Sequence, residues 1–387
     1  MTHYRRVGDV PPKRHTVHRG QDGERLAEEL MGTRGFSGSS ALLYHRRSPS
    51  ALLSVEAVDE RRSLRPNHPV VPLHLRTGDL PAGSDLLAGR AVLAGNETVT
   101  LAVASAEGPS PLYRNAAGDE LTFLQDGSAT VETTFGALAV DAGDYVVVPA
   151  GTTHRWVPHG RVRALVLESV GHVAAPARYL TATGQFTEHA PYCERDLRAP
   201  GEPLLVDDPS GADGVEVLVR TRAGLSRHRY AHHPFDVVGW DGALYPYALS
   251  IHDFEPIVGS LHQPPPVHQT FEGPGFVVCS FVPRPFDFHP DAVKIPYHHA
   301  NVDSDEVLFY VGGDFMSRAG SGIDVGSLTL HPSGFVHGPQ PGSWERSVPA
   351  TRTEETAVMI DTFAPLAIGS AADAVTDDDY PRSWLPR

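Results

Sequence analysis

The chain has 387 residues, enough for one large or two moderate domains, and two are expected. Its 47 acidic against 32 basic side chains give a formal charge of -15, which repels a phosphate backbone and argues against nucleic acid as a partner. No apolar run is long enough to cross a bilayer and no signal-peptide pattern opens the chain, so a soluble, cytoplasmic protein that takes small molecules is expected.

The first 20 residues are basic and contain proline, which predicts an arm or edge rather than a packed element. A helix is predicted next: Asp22 can cap it, Leu26 and Leu30 share a face, and Gly32 can end it. From Ala41 to about Leu101, short apolar runs such as Pro69 to Leu75 and Ala91 to Ala94 alternate with Pro and Gly and predict strands of an outer sheet. Regular short strands follow over Leu121 to Gln125, Ser128 to Thr134, Ala137 to Val140, Tyr145 to Pro149 and Val162 to Leu167. A Pro-, Asp- and Gly-rich stretch from Glu188 to Gly214 predicts a crossover between an N-terminal unit, 1–214, and a C-terminal unit, 215–387. Strand patterning resumes over Val215 to Val219, Phe276 to Phe281, Val307 to Val311, Ser327 to Leu330 and Ala357 to Ile360. The 37 Gly and 34 Pro follow no repeat period and read as turns in an all-β protein. Cys193 and Cys279 are too few for a disulfide framework, and both are expected to be inert thiols.

Two blocks recur. Asp305-Glu306-Val-Leu-Phe309 matches Asp119-Glu120-Leu-Thr-Phe123, and glycine follows each glutamate at seven residues, Gly313 and Gly127. Gly326-Ser-Leu-Thr-Leu-His331-Pro332-Ser-Gly334-Phe-Val-His337 matches Gly143-Asp-Tyr-Val-Val-Val-Pro149-Ala-Gly151-Thr-Thr-His154, with glycine, proline, glycine and histidine in step. These blocks resemble the two motifs of the cupin superfamily. The resemblance implies a two-lobed bicupin, a double antiparallel β-barrel or jelly roll with a few short helices.

Seven residues before the glutamate, the C-terminal copy has His299 and the N-terminal copy Tyr113. Neutral imidazole and carboxylate suit a divalent first-row metal, whereas a tyrosine must first lose a proton. The N-terminal lobe is therefore expected to be metal-free, with Glu120 and His154 structural. His299, Glu306 and His337 form a 2-His-1-carboxylate set, which leaves one side of a metal open to substrate and dioxygen; Fe(II) is its natural occupant. His298 adjoins His299 and Asp305 adjoins Glu306, and strand neighbours point to opposite faces. The shared glycine spacing favours Glu306.

Longer stretches resemble homogentisate 1,2-dioxygenases: Ala27-Glu28-Glu29-Leu30, Thr133-Thr134-Phe135-Gly136, Pro234-Phe-Asp-Val-Val-Gly-Trp240 with Tyr245-Pro-Tyr247, Pro296-Tyr-His-His299-Ala-Asn301 and His337-Gly-Pro339. The resemblance implies an Fe(II)-dependent ring-cleaving enzyme that converts homogentisate and dioxygen to maleylacetoacetate, with His299, Glu306 and His337 binding iron. It implies a histidine base upstream, which order and spacing place at His262, with His268 as the fallback. His331, six residues before His337, is expected to line the pocket, and a trimeric or hexameric homo-oligomer is expected. Two departures stand out. One residue more than usual separates His299 from Glu306, and Phe315 stands where the family has a substrate-contacting tyrosine. Loss of that hydroxyl removes a hydrogen bond of about 1 kcal/mol and bears on the choice of substrate. Two other readings are a dioxygenase for a gentisate-like hydroquinone and a bicupin that binds metal without catalysis.

Overall fold

The computed structural model describes residues 3–60, 63–206, 214–295, 297–315, 317–318 and 320–385. Residues 1–2 of the basic arm, 207–213 of the expected crossover and Pro296 of the quoted motif lie outside these.

The architecture is the expected all-β bicupin, with short α-helices over Ser343–Ser347 and Ser370–Asp373. In the N-terminal half, Glu120–Asp126 lies between Asp144–Val148 and Val162–Ser169 in an eight-stranded sheet. Gly136–Asp141, Ser128–Thr133, Thr153–Pro158 and Tyr113–Asn115 run side by side in a seven-stranded sheet. In the C-terminal half a six-stranded sheet sets Asp305–Gly312 between Thr356–Thr362 and Ser327–His331, with Phe276–Phe281 beyond.

The eight- and six-stranded sheets share one apolar core. Phe123, Tyr145 and Leu165 from the first meet Phe271, Val278, Val307 and Phe309 from the second, and the Tyr145 hydroxyl lies 2.8 Å from Ser280 Oγ. Because successive strand residues point to opposite faces, burying Val307 and Phe309 in this core turns Glu306 and Leu308 the other way, into the C-terminal lobe. That alternation aims the candidate carboxylate.

The halves also exchange strands. Leu73–Arg76 completes the six-stranded sheet against Ser327–His331, while Tyr247–Ser250 pairs with Asp144–Val148. Val215–Thr221 joins the seven-stranded sheet parallel to Tyr113–Asn115.

The repeated glycines have a steric cause. Gly127 and Gly313 adopt φ of 82° and 94°, and an added Cβ would lie 2.2 Å from the Arg161 carbonyl oxygen and 2.0 Å from that of Glu354. Only glycine fits there.

The predicted helix after Asp22 is not formed. Ala27–Gly32 is instead a strand whose side chains alternate between half-buried and exposed, leaving Leu30 42% exposed. It pairs in register with Ser40–His45, whose Ala41 to Tyr44 are fully buried. An open edge beside that buried strand would strand its backbone donors and acceptors, a larger loss than two apolar residues at helical spacing can offset. On the far side of the same sheet, Arg5–Gly8 forms the expected edge, paired to Val237–Gly242.

Candidate metal centre

His299 and His337 exchange both backbone hydrogen bonds at 2.8 Å, an isolated antiparallel bridge that fixes their side chains on one side. The repeat predicts this pairing, for Tyr113 and His154 stand opposite each other in the N-terminal copy. One ligand atom each from His299, Glu306 and His337 gather within 4.8 Å, the one such group among the described residues. Nδ1 of His299 reaches the Tyr297 carbonyl at 3.3 Å and Nδ1 of His337 the Phe335 carbonyl at 3.1 Å. A carbonyl only accepts, so each Nδ1 carries the hydrogen and each Nε2 turns a lone pair inward. Those Nε2 atoms lie 3.5 and 3.2 Å from the Glu306 carboxylate. Two lone pairs facing a carboxylate are satisfied by a cation among them, and the donor set fits a divalent first-row metal.

Burial alone would raise the Glu306 carboxyl, but the imidazoles of His299, His331 and His337 around it outweigh burial and hold it well below the usual carboxylate range. Asp305 points away and accepts from the backbone N–H groups of Ser333 and Leu366, both at 2.8 Å. His298 is exposed. The structure thus separates both ambiguous pairs.

His331 is placed differently from expectation. It is fully buried behind Glu306 rather than on the pocket wall, with Nδ1 3.0 Å from the Glu306 carboxylate, Nε2 2.9 Å from the Tyr380 hydroxyl, and its ring stacked 4.0 Å from that of His337. Phe315 does not line the pocket either; it is buried against Tyr310 in a cluster with Leu308 and Met359, which themselves form the wall.

A cavity of about 480 Å³ opens in front of His299 and Glu306 and is bounded by His262, His268, Phe281, Leu308, Arg318 and Asp361 among others. His262 is partly exposed, with Nδ1 3.9 Å from Asp287 and its ring edge-on to Tyr297. His268 is buried against Phe281; burial, then the Arg284 charge, push its pKa down to about 3, and its Nδ1 has no hydrogen-bond partner among the described residues.

Asp361 and Arg318 carry no motif and escape sequence reasoning. Asp361 stands directly across the ladder from Glu306, and burial followed by repulsion from Glu306 raises its carboxyl to about 7. The repeat could have found it, since Glu168 stands across from Glu120 in the same register.

The N-terminal copy holds a positive charge of its own. Arg90 donates to both Glu120 oxygens at 2.9 Å and to Glu168 at 2.6 Å, and lies over the Tyr113 ring. His154 keeps the inward geometry, its Nδ1 3.2 Å from the Thr152 carbonyl and its Nε2 3.9 Å from Glu120. The Arg90 guanidinium thus supplies the positive charge next to Glu120, Glu168 and His154.

Residues 83–251 match the family profile described as homogentisate 1,2-dioxygenase N-terminal. The chain is 38% identical to a Saccharolobus solfataricus protein named only provisionally as a dioxygenase, over 99% of both chains. It is 26% identical to homogentisate 1,2-dioxygenase of Bradyrhizobium diazoefficiens, covering 70% of this chain and 62% of that one. Among solved structures, a cupin 2 conserved barrel domain protein from Leptotrichia buccalis matches 75% of this chain and 96% of its own length at 8% identity, with a TM-score of 0.31.

Proposed function

The chain belongs to the homogentisate 1,2-dioxygenase family, and from that premise we propose an Fe(II)-dependent ring-cleaving dioxygenase that converts homogentisate to maleylacetoacetate. The observation that carries the reading is the convergence of His299, Glu306 and His337 at the end of a cavity large enough for one aromatic ring. Bound by these three residues, iron would supply electron transfer between an electron-rich ring and dioxygen.

The remaining steps fall to the chain itself. Leu308, Met359, Phe281 and Ile295 provide apolar walls that hold the ring and exclude bulk water. His262 takes a proton from a ring hydroxyl, with the Asp287 carboxylate 3.9 Å from its Nδ1. His268 suits this task less, because burial keeps it neutral and a poor base near neutrality. His331 holds Glu306 in place and is itself held by Tyr380.

The test is anaerobic metal removal, reloading with Fe(II), and oxygen uptake with homogentisate. Stoichiometric uptake with maleylacetoacetate as product is expected, and His262→Ala should lower kcat by roughly 10²- to 10⁴-fold. A second reading is a gentisate-like hydroquinone as substrate: where the family has a substrate-contacting tyrosine this chain has Phe315, whose ring packs behind the cavity wall, so that this position supplies the cavity no contact. Uptake with gentisate and none with homogentisate would select it, and uptake with neither would favour a bicupin without catalysis.

A further inference from the structure

We propose that Arg318 is the anion-receiving residue of this cavity, holding the carboxylate of an aromatic-acid substrate beside the His299, Glu306 and His337 group; this deepens the dioxygenase reading and rests on it. Arg318 lines the cavity yet is only 5% exposed. Its Nη1 donates to the Gly338 carbonyl, in the residue directly after His337. Trp384 donates to the same carbonyl at 3.0 Å, and the guanidinium lies 5.8 Å from the centre of its ring. The charge is therefore clamped next to the turn that carries the third candidate ligand.

What it lacks, among the described residues, is a carboxylate in hydrogen-bond contact. Its Nε has no hydrogen-bond partner among the described residues, and Glu306 and Glu355 act on it only through space. A buried guanidinium that no carboxylate touches keeps part of its desolvation cost, and a ligand that brings a carboxylate into contact offsets it. The planar guanidinium fork also matches a carboxylate in two-point contact. The other cations of the wall are already engaged. Lys294 donates to the carbonyls of Val348 and Ala350 at 2.7 and 2.5 Å. Arg284 donates to the Val282 carbonyl at 3.0 Å and is surrounded by the charges of Glu355, Asp287 and Asp314.

Anaerobic calorimetric titration of the purified protein reads binding without turnover, using homogentisate and its neutral counterpart methylhydroquinone as probes. Homogentisate is expected to bind roughly 10- to 100-fold more tightly, the span of one charge-assisted contact. Arg318→Gln should erase that preference and leave methylhydroquinone affinity unchanged, while Arg318→Lys should keep part of it. Equal affinities in the wild type, or a preference surviving Arg318→Gln, would overturn the proposal; if that variant fails to fold, the wild-type comparison and Arg318→Lys decide. Failure of the two readings is distinguishable. Carboxylate preference without oxygen uptake would sink the dioxygenase reading alone, and oxygen uptake with a homogentisate KM indifferent to Arg318→Gln would sink this one alone.

Discussion

Arg90 shows at single-residue scale how one guanidinium can hold two buried carboxylates together inside a barrel. Two buried carboxylates, Glu120 and Glu168, face each other across a strand ladder, and the guanidinium between them makes three hydrogen bonds to them. Arg90→Ala would leave both acids buried without a counter-charge, which costs about 3–5 kcal/mol. Urea unfolding should read a loss of that size, and a loss below about 1 kcal/mol would refute the role. The replacement of a histidine by Tyr113 is legible in the sequence repeat. Arg90 is not, because it comes from just ahead of a different strand, Ala91–Gly95, and only folding brings it to the site.

At the scale of elements, His45 joins three strands. It ends Ser40–His45, receives Glu29 from Ala27–Gly32 at 2.9 Å, and meets Asp236, just ahead of Val237–Gly242, at 2.6 Å. Burial alone would lower its pKa, but the hydrogen bonds the ring donates to these carboxylates outweigh it and raise the imidazole to about 9. Its folded value lies above the unfolded one of about 6.5, so the imidazolium contributes stability in full below about pH 6.5. That contribution is lost as pH rises through about 9. Thermal melts should show the wild type losing stability over this window. His45→Gln should melt lower at pH 6 and lack that decline, and an identical pH profile in both proteins would contradict the assignment. The same sheet corrects the helix expected after Asp22, because pairing to a buried neighbour, absent from local sequence, decided the strand.

At the scale of the whole molecule, strands cross between the two halves and one apolar core lies between their sheets. The halves should therefore unfold together. A fragment of residues 215–387 would lack Leu73–Arg76 from its sheet and the N-terminal face of the shared core. It is expected to be unfolded by circular dichroism, and a cooperatively folded fragment would show that the halves are independent. The all-β class and the duplicated motif are legible in the sequence, which also names His299, Glu306 and His337 as candidates, because strand alternation and turn glycines are local constraints written in short spacings. It could also name the cavity histidines His262 and His268 by order along the chain. That His331 and Phe315 stand behind the cavity wall, and that Arg90 and Arg318 reach the two sites, emerges with folding alone. The reason is physical: alternation says which face a side chain takes, while the neighbours it meets there come from strands and turns distant in sequence.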